Sequence, residues 1–328
     1  MVVGENMKQR RLLIGTLMLG AVLLNQYPAS ADGTLWKKYN DAGQEAYREG
    51  RYVDAERLLL SAIEEAKKLG GQDPRLATSS NNLGELYRVQ GKYSQAESLY
   101  QTALAILEKA QGPEDPDVAT TLNNLGLLYR AQKQYAEAEK FYRRALVIWV
   151  KAYGEEHPNI AMGLNNIGEL YRLQGKFAQA EPIYQSSLII LQKTLGPDHP
   201  NIAIVASNLA SLYRDQGRYA DAKPLYEHAL AIMELAYGSE HPHVATALNN
   251  LAALFTAQGE YAEAERLYRR SLAILENILS EDDPALAASL ENYAALLRRM
   301  NRSTEAAKLE ARAEAIRKKQ SQRNPKGL

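Results

Sequence analysis

Six asparagines, Asn82, Asn124, Asn166, Asn208, Asn250 and Asn292, stand 42 residues apart, and the residues around them recur at the same interval. A period of roughly 20 to 50 residues means that one supersecondary unit has been copied, and such units bury their apolar faces only against neighbouring copies. The 328 residues therefore predict one elongated repeat domain, where length alone would allow two globular ones. A repeated unit also presents its surface residues as lines, which favours a long binding face over a single reaction centre.

One copy spans residues 116–157 and reads PDVATTLNNLGLLYRAQKQYAEAEKFYRRALVIWVKAYGEEH. Proline opens each copy, at positions 74, 116, 158, 200, 242 and 284. It suits the first turn of a helix because its missing N–H has no partner there in any case. The preceding Asp73, Asp115 and Asp283 are capping residues, and His157, His199 and His241 stand at the same place. About four turns later a glycine recurs (Gly50, Gly91, Gly175, Gly217, Gly259), replaced by Lys133 and Asn301 in two copies, and predicts a left-handed helix end. A second run follows with apolar residues three and four apart, such as Ala138, Phe141, Tyr142, Ala145, Leu146 and Trp149. That spacing is one face of an amphipathic helix.

Small residues then mark where helices approach closely: Ala96, Ala138, Ala180, Ala222, Ala264 and Ala306 in one series, and Ala103, Ala145, Ser187, Ala229, Ser271 and Ala313 in another. Tyr87, Tyr129, Tyr171 and Tyr213 on the first helix, and Tyr100, Tyr142, Tyr184, Tyr226 and Tyr268 on the second, supply broad packing area and are expected in the core. Taken together, Asn-Leu-Gly-x-x-Tyr, Gly-x-Tyr-x-x-Ala and Tyr-x-x-Ala-Leu resemble the tetratricopeptide repeat. The 42-residue period and the loop GPDHPNIA at 196–203 resemble its kinesin-light-chain type. The resemblance covers residues 36–316 and implies an all-α, right-handed superhelical solenoid of about seven helix-turn-helix repeats.

The ends depart from the pattern. Gly50, Tyr52 and Ala55 lie 41 residues before Gly91, Tyr93 and Ala96, so the first copy's ladder position is Asp41, and Asn40 is set aside as a coincidence. In the seventh copy Ser303, Glu310 and Glu314 replace Tyr, Tyr and Leu, giving the last helix the polar outer face of a cap. Residues 1–31 carry Lys8, Arg10 and Arg11 before an apolar run at 12–24 and a small-residue Pro28-Ala29-Ser30-Ala31 stretch. This predicts a secretory signal peptide cleaved after Ala31, hence a periplasmic or secreted protein with no stable membrane insertion. The expected organisation is signal peptide 1–31, solenoid 32–317 and a disordered basic tail 318–328.

Composition narrows function by exclusion. Lys plus Arg and Asp plus Glu are equal at 39 each, so no global field draws the chain to nucleic acid or an anionic membrane. There is no cysteine, hence no disulfide, thiol nucleophile or thiolate metal site. Phosphate-loop, dinucleotide, nucleophile-elbow, zinc-helix and EF-hand motifs are absent, so neither enzyme activity nor a cofactor nor a metal is expected. His157, His199 and His241 repeat one per copy, too far apart to share an ion whose ligands each lie ~2 Å from it.

Angular position sorts the first helix at about 100° per residue. Asn123, Asn124, Leu127, Arg130 and Ala131 fall on one side of residues 116–131, opposite Leu122, Leu125, Gly126 and Tyr129. The latter match the packing positions of the resembled family, which leaves the former to line a concave groove. Two ladders result. Asn82, Asn124, Asn166, Asn208, Asn250 and Asn292, flanked by Asn81, Asn123, Asn165 and Asn249, carry carboxamides suited to an extended peptide backbone. The alternative is that these amides bond between neighbouring helices. Arg88, Arg130, Arg172, Arg214 and Arg298, interrupted by Thr256, suit acidic groups. Glu85 and Glu169 precede Arg88 and Arg172 by three residues and can neutralise them, whereas Leu127 and Ser211 precede Arg130 and Arg214. The expected function is a monomeric adaptor or scaffold that binds an extended protein segment of acidic character around Asn124, Arg130, Asn166, Arg172, Asn208 and Arg214. A self-associating envelope component is the second reading.

Overall fold

A computed structural model describes residues 33–323, which form fourteen α-helices and no strand among the described residues. Residues 1–31, the expected signal peptide, lie outside them. The described chain divides into two compact units after Lys176. The N-terminal unit holds α1 (Thr34–Arg48), α2 (Tyr52–Leu69), α3 (Pro74–Val89), α4 (Tyr93–Ala110), α5 (Pro116–Ala131), α6 (Tyr135–Tyr153) and α7 (Pro158–Leu173). The C-terminal unit holds α8 (Phe177–Leu195), α9 (Pro200–Asp215), α10 (Tyr219–Tyr237), α11 (Pro242–Gln258), α12 (Tyr261–Ile278), α13 (Pro284–Arg299) and α14 (Ser303–Arg323). In each unit consecutive helices pack side by side, and each odd-numbered helix also touches the next odd-numbered one.

The punctuation works as expected. Asp73, Asp115 and Asp283 accept the backbone N–H two residues on at 2.8–2.9 Å. His157, His199 and His241 do the same through Nδ1 at 3.1–3.2 Å, which requires a neutral ring. Turn residues after the first helices have positive φ, 60° at Lys133 and Asn301 and 71–82° at the five glycines. The last helix runs to Arg323, six residues into the stretch expected to be a disordered tail, where Lys319 Nζ reaches Asp282 at 2.7 Å.

The small-residue series are closed contacts. All six alanines from Ala96 to Ala306 have no exposed surface, and Ser271, in the second series, satisfies its buried hydroxyl by donating to Ala245 O at 2.8 Å. A Cβ on Gly126 would lie 2.4 Å from Tyr142 Cε1, and one on Gly84 would lie 2.7 Å from Tyr100 Cε1. These tyrosines therefore lie flat on a bare helix backbone. The C-terminal unit carries Ala210, Ala252 and Ala294 at this register.

The first-helix tyrosines do more than fill space. Tyr87, Tyr129, Tyr171 and Tyr213 donate to Glu56, Glu97, Glu139 and Glu181 on the preceding second helices at 2.6–2.9 Å. The next copy exchanges both partners: Phe255 replaces the tyrosine, Lys223 the glutamate, and the ammonium sits 5.2 Å from the ring centroid. These glutamates recur in the sequence at intervals of 41 or 42 residues.

Candidate functional site

The asparagines are placed by contact between successive first helices. Asn81, Asn82, Asn123, Asn124, Asn165 and Asn166 are all buried, none more than 6% exposed. Asn166 Nδ2 donates to Asn123 Oδ1 at 2.9 Å, Asn82 Nδ2 to Asn40 Oδ1 at 3.0 Å, and Asn81 Nδ2 to Thr121 Oγ1 at 2.8 Å. In the C-terminal unit Asn249 Nδ2 donates to Ser289 Oγ at 3.3 Å. The expected groove wall is thus corrected in the N-terminal unit: these carboxamides stitch repeat junctions. The physical reason is that the stripe assigned to solvent is covered by the next first helix. Asn208, Asn249 and Asn250 are half-buried and Asn292 is exposed.

Asn40 also changes meaning. The 41-residue step is real, since Gly43 faces Leu59 as Gly84 faces Tyr100. Asp41 is therefore the equivalent of Asn82, and Asn40 is the equivalent of Asn81, Asn123 and Asn165. It is fully buried and accepts from Asn82 as Asn123 does from Asn166. Asn40 is thus no coincidence: it is the first copy's counterpart of Asn81.

The arginines lie in the last turns of the first helices. Arg88 is 9% exposed and bidentate to Glu85, with Nε at 2.8 Å and Nη2 at 2.6 Å. Tyr100 Oη and Tyr47 Oη donate to the same carboxylate at 3.1 and 3.4 Å. Burial, and then Glu85, push both tyrosine hydroxyls well above their ordinary range. Arg172 repeats the pairing with Glu169 at 2.8 and 2.9 Å. Arg298 finds its carboxylate on the other helix, Glu310, at 2.6 and 3.0 Å. That glutamate, expected only to make the cap polar, thus completes the charge pattern.

The two arginines expected to lack partners separate. Arg214 Nη2 reaches Asp215 at 3.1 Å, so its freedom is corrected. The guanidinium of half-buried Arg130 makes no hydrogen bond or ion pair among the described residues, and Leu127 stands where Glu85 and Glu169 stand in adjacent copies. Tyr142, the counterpart of Tyr100, is 1% exposed and its hydroxyl is without an acceptor. Burial pushes that hydroxyl up to about 12. Among the described residues no group of three or more His, Asp or Glu is placed to share a metal ion.

Serial α-helical hairpins with small-residue junctions and left-handed turns define a helix-pair repeat protein. A tetratricopeptide repeat profile matches residues 38–109, 117–188, 159–234, 201–277 and 243–319. The chain belongs to the tetratricopeptide repeat family, and its repeats are of the kinesin-light-chain type. It is similar to BtubC (BKLC) from P. vanneervenii, with 26% identity and a TM-score of 0.55 over 74% of this chain and 92% of that one. It is also similar to the nearly identical TPR-like repeats of a putative kinesin light chain of Podosopora anserina, at 26% identity and TM-score 0.50, covering 63% and 98%. A Rap protein complexed with competence and sporulation factor shares the fold, at 16% identity and TM-score 0.69 over 88% and 76%. A comparison with curated protein sequences gives no match.

Proposed function

We propose that the chain is a non-catalytic interaction module, an adaptor or assembly scaffold that holds an extended protein segment along the first-helix ends of its N-terminal unit. The observation that carries this reading is Arg130: a half-buried guanidinium without an internal partner, in a line whose other arginines are all neutralised. Its guanidinium offers five N–H donors in a fixed fork, a geometry that suits the carboxylates of an acidic segment. The neutral chain as a whole puts the attraction in this local strip rather than in net charge. Export through residues 1–31 would place this binding outside the cytoplasm.

The test is affinity capture from the native envelope with wild type and Arg130→Ala in parallel, each checked for helicity by circular dichroism. Capture of a partner by wild type and its loss from the folded variant, with weaker salt dependence, is the expected result. Equal capture by both refutes the assignment. The second reading is self-association of the chain. Mass that rises with concentration in light scattering would favour it.

A further inference from the structure

We infer that the junction between the second and third helix pairs presents a seat for one lysine or arginine side chain of a partner protein, formed by the Glu97 carboxylate on α4 and the Tyr129 ring on α5. The inference goes beyond the binding role above and does not rest on Arg130, which lies on the opposite side of α5 from Tyr129. The other junctions show what such a pair holds. Each sets a residue of one second helix against the residue just before the next second helix. Lys92 Nζ reaches Glu56 at 3.2 Å and stands 4.6 Å from the centroid of the Tyr87 ring. Arg218 Nη1 reaches Glu181 at 2.9 Å, with the guanidinium 4.0 Å from the Tyr213 centroid. Lys176 stands 5.5 Å from the ring of Tyr171, whose hydroxyl bonds Glu139. The following junction exchanges the charges, Lys223 for the glutamate and Glu260 for the cation, and Lys223 is the ammonium found at Phe255. At the last junction Arg302 Nη1 reaches Glu265 at 2.8 Å. The equivalent positions at the second junction are Glu97 and Gln134, so neither supplies a cation.

Glu97 is held as its counterparts are. Tyr129 Oη donates to its Oε1 at 2.6 Å and Gln101 Nε2 to the same oxygen at 3.2 Å. Both donors are neutral, and half-buried Glu97 makes no ion pair among the described residues. The hydrogen bond to Glu97, and then burial, push the Tyr129 hydroxyl up to about 12, so the phenol stays a neutral donor near neutral pH. The Gln134 amide is turned to Gln132 Oε1 at 3.4 Å. Lys133, the nearest cation in sequence, makes no ion pair among the described residues. Phe141 stacks on Tyr129, with centroids 5.2 Å apart and planes 8° from parallel. Its position holds Leu99, Ile183 and Leu225 in copies whose rings carry a cation, so packing there is compatible with a cation on the ring. A carboxylate beside the negative face of a ring attracts an organic cation through both, and the half-buried setting strengthens the attraction. The occupants elsewhere in the array are lysine and arginine side chains, and the same chemistry is drawn here from outside.

Small probes test the seat apart from any partner. N-acetyl-lysine N-methylamide is titrated into the full chain while the backbone N–H resonances of Glu97 and Tyr129 are followed by NMR, with the uncharged Nε-acetylated analogue as the second arm. The lysine probe should shift both resonances saturably and the acetylated probe should not. Gln134→Lys gives this copy the lysine found at positions 92 and 176, and should weaken probe binding about tenfold or more by filling the seat from within. Glu97→Gln keeps an acceptor for Tyr129 while removing the charge, and should weaken binding to a similar degree. Circular dichroism checks that both variants keep the wild-type helicity. Lys133→Gly, the residue type at 91 and 175, should leave the response unchanged.

No saturable response to the lysine probe overturns the seat, as does an equal response to the acetylated probe. A wild-type response carried over intact into folded Gln134→Lys or Glu97→Gln overturns it as well. A clear gain of probe binding in Lys133→Gly would make Lys133 the occupant and overturn the assignment to a partner.

Discussion

If the asparagines are stitches between copies, removing them must cost stability before it costs binding. The pair Asn123–Asn166 isolates the effect, because the two amides meet at 2.9 Å and both residues are 2–3% exposed or less. A neutral hydrogen bond contributes about 1 kcal/mol net, but truncating one partner strands the other in a dry site at about 1–3 kcal/mol. Asn166→Ala should therefore lower stability by about 1–3 kcal/mol, and Asn123→Ala by a similar amount. The double variant should lose less than the sum, with a coupling of about 1 kcal/mol, since both truncations remove the same hydrogen bond. Urea unfolding followed by circular dichroism measures all four corners of the cycle. Asn292→Ala, at an exposed position of the same ladder, should stay within about 0.5 kcal/mol of wild type. Additive single effects, or small stability losses with a large loss of partner affinity, would refute the stitching argument and return the amides to a ligand-binding role.

Gly126→Ala sets a clash against a gain. The new Cβ would lie 2.4 Å from a tyrosine ring that has 1% exposure and no room to swing, costing about 1–3 kcal/mol, against about 1 kcal/mol of improved helix propensity. A lower melting temperature is expected, and a higher one would show that the ring yields. Acid should loosen the C-terminal unit in a defined window. Burial lowers His241 and His243 to about 4, so the unfolded chain binds more protons than the folded one between about 4 and 6.5. Stability is then full above pH 6.5 and falls as pH drops towards 4, by at most about 1.4 kcal/mol per pH unit for each histidine. His243→Asn, the residue type at positions 159 and 201, should about halve that slope in pH-dependent thermal melts; an unchanged slope would show that His243 does not titrate with unfolding.

Much of the fold was legible because each copy repeats the same local instructions. Proline and its capping neighbour start a helix, a residue tolerant of positive φ ends it, and a small-residue series sets how closely the next helix lies. These are short-range effects, and the structure places all of them where the pattern put them. The site was legible only in part. Arg88 and Arg172 were readable as neutralised because their glutamates sit one helical turn away on the same helix, and Arg130 as open because its turn holds Leu127. Arg214 was misread because its carboxylate is the adjacent Asp215, at a spacing where helix geometry does not bring side chains face to face. The Arg298–Glu310 pair was not legible because its carboxylate comes from a different helix.

What the sequence determined by itself is the repeat, its helix pair and the register of every capping, turn and packing residue, since all are encoded within about 42 residues. What the tertiary structure decided is which stripe of each first helix stays open. That depends on how one copy lies against the next, and a single helix's angular pattern contains no information about it. The Asn series accordingly passed from a groove wall to a seam, and Asn40 rejoined it. The Arg130 guanidinium stays without an ion pair because nothing in the copies around it supplies the carboxylate that its own helix lacks.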